Sequence, residues 1–272
     1  MLSRRLLLAA GSATTLHAVT TAAGALLGGC EQSTTGGRVT YESTASSDLT
    51  RGESFDNAFG WSISLDEAWL SIAYLRYVEG TPIAMAPSTL PQRFARLLVP
   101  QASAHPGHYD EGGTLGEMRT PQLLDLLADP IVLGSEAGVT GNARSALVRF
   151  QADASLDAGA PGAVALVHGV ATSGSESRTF TALTTAEELV HSSTGAPEVI
   201  GCPLDGGPID QDGTIAMEVQ LRIWLEQVDF SLVPAGTTDD ELLALEPGTP
   251  PHNAFVRGVQ KASAYLFHYS PS

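Results

Sequence analysis

"TIAMEVQLRIWL" (residues 214–225) is the stretch on which the fold class turns. Ile215, Met217, Val219, Leu221, Ile223 and Leu225 alternate with Ala216, Glu218, Gln220, Arg222 and Trp224. Successive side chains of a strand point to opposite faces, so a period of two predicts a strand with one buried face. A helix would repeat its apolar positions every three to four residues instead. The spacing therefore predicts a strand over the whole stretch, and a strand needs partners.

The rest of the chain supplies them. "WSISL" (61–65) alternates Trp61, Ile63 and Leu65 with serines. "AWLSIAYLRYV" (68–78) carries Leu70, Ile72 and Tyr74 on one face and Trp69, Ala73, Leu75 and Tyr77 on the other, the pattern of a strand covered on both sides. "ARSALVRFQ" (143–151) and "GAVALVHGVAT" (162–172) are apolar runs of strand length, and "SAYLFHY" (263–269) aligns Tyr265, Phe267 and Tyr269. Helix candidates are short: 91–99, 120–129 with Thr120 as N-cap and Pro121 at the first helical position, 184–192 and 252–260. Irregular loops join the strands, with no regular crossover helices. This predicts a mainly β fold, an antiparallel β-sandwich or open barrel with a few short helices.

The first 29 residues form an address. Arg4 and Arg5 open an apolar, small-residue stretch from Leu6 to Leu27, which Ser, Thr and His17 interrupt and Gly28-Gly29 ends. "LLGGC" (26–30) resembles the lipobox of bacterial lipoproteins, which implies that Cys30 is lipidated and becomes the mature N-terminus. "SRRLLL" (3–8) resembles the twin-arginine signal, with Leu7 where phenylalanine is preferred and no lysine after Leu8. That resemblance implies export of an already folded protein. The expected organisation is a signal peptide (1–29), the lipidated cysteine and a flexible tether rich in Ser, Thr and Gly (30–56), and one β-rich domain (57–272). The protein is then a membrane-anchored lipoprotein facing the periplasm or the cell exterior, held through acyl chains at Cys30.

The formal net charge is −16. Beyond residue 29 there are 12 basic against 30 acidic residues, a net of −18. Such a chain repels phosphate backbones and shows no basic stripe, which excludes nucleic acid as a partner. Cys202 alone remains of the cysteines in the mature chain, so no internal disulfide forms.

The chemistry-bearing stretch is "AHPGHYDEGG" (104–113). Pro106 fixes φ at the second position of a turn and Gly107 accepts positive φ at the third, which predicts a type II turn. The turn brings His105 and His108 side by side. Two imidazoles suit copper or zinc, with Asp110 and Glu111 close in sequence and His168 as a ligand brought from a distance. The alternative is a polar surface turn. In "EELVH" (187–191) Glu187 and Glu188 precede His191 at helical spacing, as on a solvated face. "DGGPIDQDGT" (205–214) sets Asp205, Asp210 and Asp212 among glycines, and a hairpin turn at Asp212-Gly213 explains it without calcium. No Gly-x-Ser-x-Gly elbow, phosphate loop or dinucleotide fingerprint occurs; "GSEAG" (134–138) and "GSESR" (174–178) do not fit the first.

The order of the C-terminal part is a strand, "IWLEQVDFS" (223–231), a long acidic loop, "NAFVRGVQ" (253–260) and "SAYLFHY". This layout is similar to periplasmic copper-associated sandwich proteins of the methanobactin-locus type, which adds to the metal reading and assigns no residues. The functional expectation is an extracytoplasmic binding protein with a transition-metal site at the His-Pro-Gly-His turn. A partner-binding or structural surface lipoprotein without metal would present an aromatic patch at Trp69 or Trp224. A hydrolase would place His168 or His191 in a cleft beside a serine or a carboxylate pair.

Overall fold

One 17-residue strand, β3 (Ser62–Val78), organises the sheet. The computed structural model describes residues 36–83, 111–156, 161–236, 238 and 241–272. One edge of β3 pairs with β2 (Ser54–Asp56), β5 (Gln122–Asp125) and β4 (Thr114–Met118), all antiparallel. The other edge is shared by β8 (Ala163–Ser173), along Ser62–Leu70, and β7 (Ser145–Phe150), along Ile72–Val78. Register shifts fall at Leu65/Glu67 and Ile72/Tyr74, and such bulges bend a strand. The sheet forks at that edge. A short arm runs from β8 to β9 (Glu176–Thr185) and β12 (Leu243–Ala244). A long arm runs from β7 through β10 (Glu198–Asp205), β13 (Tyr265–Pro271), β11 (Gly213–Val219) and β1 (Arg38–Ser47) to β6 (Ile131–Val139). Because β6 comes back against β4, the long arm curls into an open barrel with a seam between those two strands.

The fold is mainly β, as the periodicities predict. The sheet, however, is mixed: β1 with β11, β10 with β13 and β9 with β12 run parallel. The reason lies in the last strand. β13 inserts between β10 and β11, antiparallel to β11 and parallel to β10. Residues 205–214 therefore make no hairpin. They cross the end of β13, where the backbone N–H and the hydroxyl of Ser272 both donate to the Asp212 carbonyl.

Three further expectations are corrected. The strand of residues 214–225 stops at Val219, and helix α1 (Leu221–Leu225) follows. Leu221, Trp224 and Leu225 are buried at helical spacing, and the Asp48 carboxylate accepts the Leu221 N–H at 2.7 Å to start the helix. Residues 120–129 hold β5 in place of a helix, because pairing to β3 outweighs the local N-cap signal. Residues 186–189 form turns. Glu188 accepts from the Thr185 N–H at 2.9 Å and the Thr184 hydroxyl at 3.2 Å, leaving His191 without it. The fourth helix expectation inside the described chain holds as α2 (Pro250–Val259), with Thr249 as N-cap and prolines in its first turn.

The flexible tether expected up to residue 56 is also corrected, since the folded unit begins at Gly36. In β1 the inward positions are Val39, Tyr41, Ser43 and Ala45, all buried. Ser43 is bonded to the Tyr77 hydroxyl at 2.7 Å, so a serine there satisfies the interior as a larger residue would fill it. Tyr41 lies under the seam, its hydroxyl donating to the Leu115 carbonyl of β4, and burial pushes its phenol up to about 12. A Cβ at Gly138 would sit 1.7 Å from the Tyr41 hydroxyl, so β6 needs glycine at that point.

The two ends of the barrel differ. At the helix end, Trp61, Phe180 and Phe230 stack in series and Trp224 packs between Phe255 and Tyr265. α1 and α2 approach so closely that a Cβ at Gly258 would lie 2.4 Å from the Trp224 carbonyl oxygen. Ten residues of β1, about 30 Å, lead from there to the other end, where the described chain enters.

Candidate functional site

The entry end is held together by backbone. Thr140 donates to the Gly37 carbonyl at 2.8 Å, and Gly141 and Ile209 exchange hydrogen bonds at 2.9 and 2.8 Å. The Thr40 N–H donates to the Asp212 carboxylate at 2.7 Å. Beside this knot the chain leaves β3 and returns to β4. Glu79 donates to the Gly113 carbonyl at 3.0 Å and Gly80 to that of Glu111 at 2.8 Å, while Ile83 donates to Gly201 at 3.1 Å. Residues 84–110, which include the 91–99 helix expectation and His105, His108 and Asp110, lie outside the described residues, as does Cys30.

Glu111 and His168 are described, and the fold keeps them apart. The Glu111 carboxylate lies 3.4 Å from the Arg76 guanidinium. His168 sits on β8 opposite Glu67 of β3 and Thr181 of β9. Nine residues of β3, about 30 Å of strand, separate Glu67 from Arg76, so one ion cannot take both ligands. Among the described residues no three His, Cys, Asp or Glu side chains cluster as a metal group. His191 bonds Ser193 at 2.9 Å within one exposed turn, and neither His168 nor His191 lines the two hollows described next. Cys202 is fully buried, which raises its thiol far above the ordinary value and keeps it unreactive.

The larger hollow is a groove of about 710 Å³ along the seam, opening beside the entry end. Arg38, Arg76 and Arg119 line it together with Glu117 and Glu136. Three of the 12 basic residues beyond residue 29 thus gather at one groove of an acidic protein. Glu117 accepts from Arg76 Nε and from Arg119 Nε, both at 2.6 Å. Partial burial alone would raise the Glu117 carboxyl, but the two guanidiniums outweigh it and hold it below the usual range. Arg76 also covers the Tyr74 ring at 5.5 Å, and Arg149 covers it at 5.3 Å while bonding the buried Glu198 at 2.8 Å. Arg38 is exposed and makes no ion pair with a described residue. Sequence reasoning missed this band because its partners, such as Arg76 and Glu117, meet only through strand register. The three arginines stand on β1, on β3 and just past β4, far apart in sequence, so no local pattern marks them.

A second hollow of about 400 Å³ lies on the outer face of β3, lined by Glu67, Trp69, Leu123, Ser155, Leu156 and Leu166. Trp69 is half-buried there, whereas Trp224, the other aromatic expected at a surface, is wholly inside the helix end. No family model, curated protein or solved structure matches this chain.

Proposed function

We propose that the protein is a lipid-anchored extracytoplasmic binding protein whose ligand is a transition-metal ion, copper or zinc, taken at His105 and His108. The observation that carries this reading is the clamp at the base of that stretch. Glu111 is fixed by the Gly80 N–H and faces Arg76, and only Tyr109 and Asp110 separate it from His108. A fixed base reduces the conformational entropy lost when two imidazoles close on an ion. The Pro106-Gly107 pair favours the turn that sets them side by side. Glu79, exposed at the same base, is an oxygen donor that the motif alone does not single out. The anchor part of the reading rests on the lipobox-like residues 26–30 and the signal before them.

The test is titration of the exported protein with copper and zinc beside a His105→Ala, His108→Ala double variant. The reading expects affinity to fall by more than about a hundredfold in the double variant, and binding to weaken below the imidazole pKa near about 6.5. Equal affinity in the two proteins would overturn it. A second reading, partner binding without metal, is favoured by the Trp69 hollow, a half-exposed aromatic in an apolar recess. Trp69→Ala then abolishes partner capture and leaves metal titration unchanged.

A further inference from the structure

We infer that the entry end of the barrel faces the phospholipid surface, so that the helix end points away from the membrane. The inference rests on the lipid-anchor reading above and adds an orientation to it. Cys30 precedes Gly36 by six residues, a contour length of at most about 20 Å. Gly37 is already fastened, its carbonyl taken by the Thr140 N–H at 2.8 Å. The leash is thus shorter than the roughly 30 Å that β1 spans between the two ends. A tether running to residue 56 would have left the domain free to turn; this one ends at the first strand.

The short leash carries the orientation, because the entry end itself is of mixed charge. Arg38, the first residue of β1, is exposed and is free to meet lipid phosphate, and Ile83 is an exposed apolar side chain at the same end. The acidic groups there are Glu79, Glu111, Glu136, Asp205, Asp210 and Asp212. Glu111 is paired with Arg76, Asp205 with His268, and Asp212 accepts the Thr40 N–H. Glu79, Glu136, Asp210 and Asp212 keep their charge and repel anionic lipid. Two acyl chains outweigh that repulsion. The same orientation brings the base of the 84–110 segment and the mouth of the arginine groove to the membrane side.

The test uses the full acylated protein in vesicles of phosphatidylethanolamine and phosphatidylglycerol, carrying an energy-transfer acceptor on the headgroups. A donor dye is attached at Asp210→Cys, on the entry end, or at Phe59→Cys, on the helix end; both positions are exposed, and buried Cys202 serves as the unlabelled background. Circular dichroism checks that both variants fold. Strong transfer from position 210 and its loss at position 59 are expected. Equal transfer, or more from position 59, would overturn the orientation while leaving the anchor intact. A protein whose mass shows no acyl group and which stays off the vesicles would overturn the anchor reading and the orientation together.

Discussion

At the helix end of the barrel, six aromatic rings and two short helices fill the space between the strands, and Trp224 is fully enclosed. At the entry end, thirty ångströms or so away along β1, the contacts are backbone hydrogen bonds between loops, bordered by carboxylates and by the arginine groove. The contrast separates two tasks. Both ends bury rings, Tyr41, Tyr77 and Phe267 toward the entry end among them, but only the helix end is capped by helices. The entry end presents polar, titratable groups on a rigid edge, the usual placement of binding residues on loops held by a scaffold.

The largest expected effect breaks the helix end. Trp224→Ala should lower stability by about 3–5 kcal/mol in urea unfolding, while Asp210→Ala, exposed at the entry end, should stay within about 0.5 kcal/mol of the parent. Similar losses for the two would erase the contrast. Next comes the seam. Gly138→Ala forces a methyl group against Tyr41 and should cost about 1–3 kcal/mol, with a red-edge change in tyrosine absorbance if the Tyr41–Leu115 hydrogen bond opens.

Acid sharpens the comparison through two carboxylates of opposite behaviour. Burial raises the Asp48 carboxyl above its ordinary 3.8, although the Leu221 N–H and Arg222 act against it. The folded protein therefore holds that proton more tightly than the unfolded chain, and stability falls as pH rises from about 3.8 through the folded value. Glu117 is held below its ordinary 4.5, so its contribution is present above that pH and is lost as pH falls through the folded value. Urea midpoints between acid and neutral pH should show a shallower acid loss in Glu117→Gln and a steeper one in Asp48→Asn. Parallel curves for the parent and both variants would contradict these assignments. A smaller loss belongs to Asp212→Ala, which removes the acceptor of the Thr40 N–H at an exposed site and should cost about 0.5–1 kcal/mol, read as a small shift of the urea midpoint.

Much of the fold was legible. Period-two alternation located β3, β11 and β13, and apolar runs of strand length located β7 and β8, because each buries at least one face in a continuous core. Other parts were not, β6, β9 and β10 among them, and three misreadings show why. The inward row of β1 contains Ser43 and Ala45, so its signal fell below that of a polar tether, although Tyr77 makes the serine a good core residue. At Val219 the alternation runs on unbroken into α1, because Leu221, Ile223 and Leu225 continue the strand pattern while Leu221, Trp224 and Leu225 make a helical face. The insertion of β13 between β10 and β11 is a long-range choice that no local pattern encodes. Of the candidate ligands, Glu111 was located at the entry end and His168 elsewhere, since sequence distance gives no guide to which face of which strand a residue reaches.

The division of labour between the ends is tested most directly by hydrogen exchange on the purified protein, with and without added copper or zinc. Binding at the entry end predicts slower exchange at residues 79–83 and 111–114, with α1 and α2 unchanged. Slowing confined to α1 and α2, or none at the entry end, would contradict it.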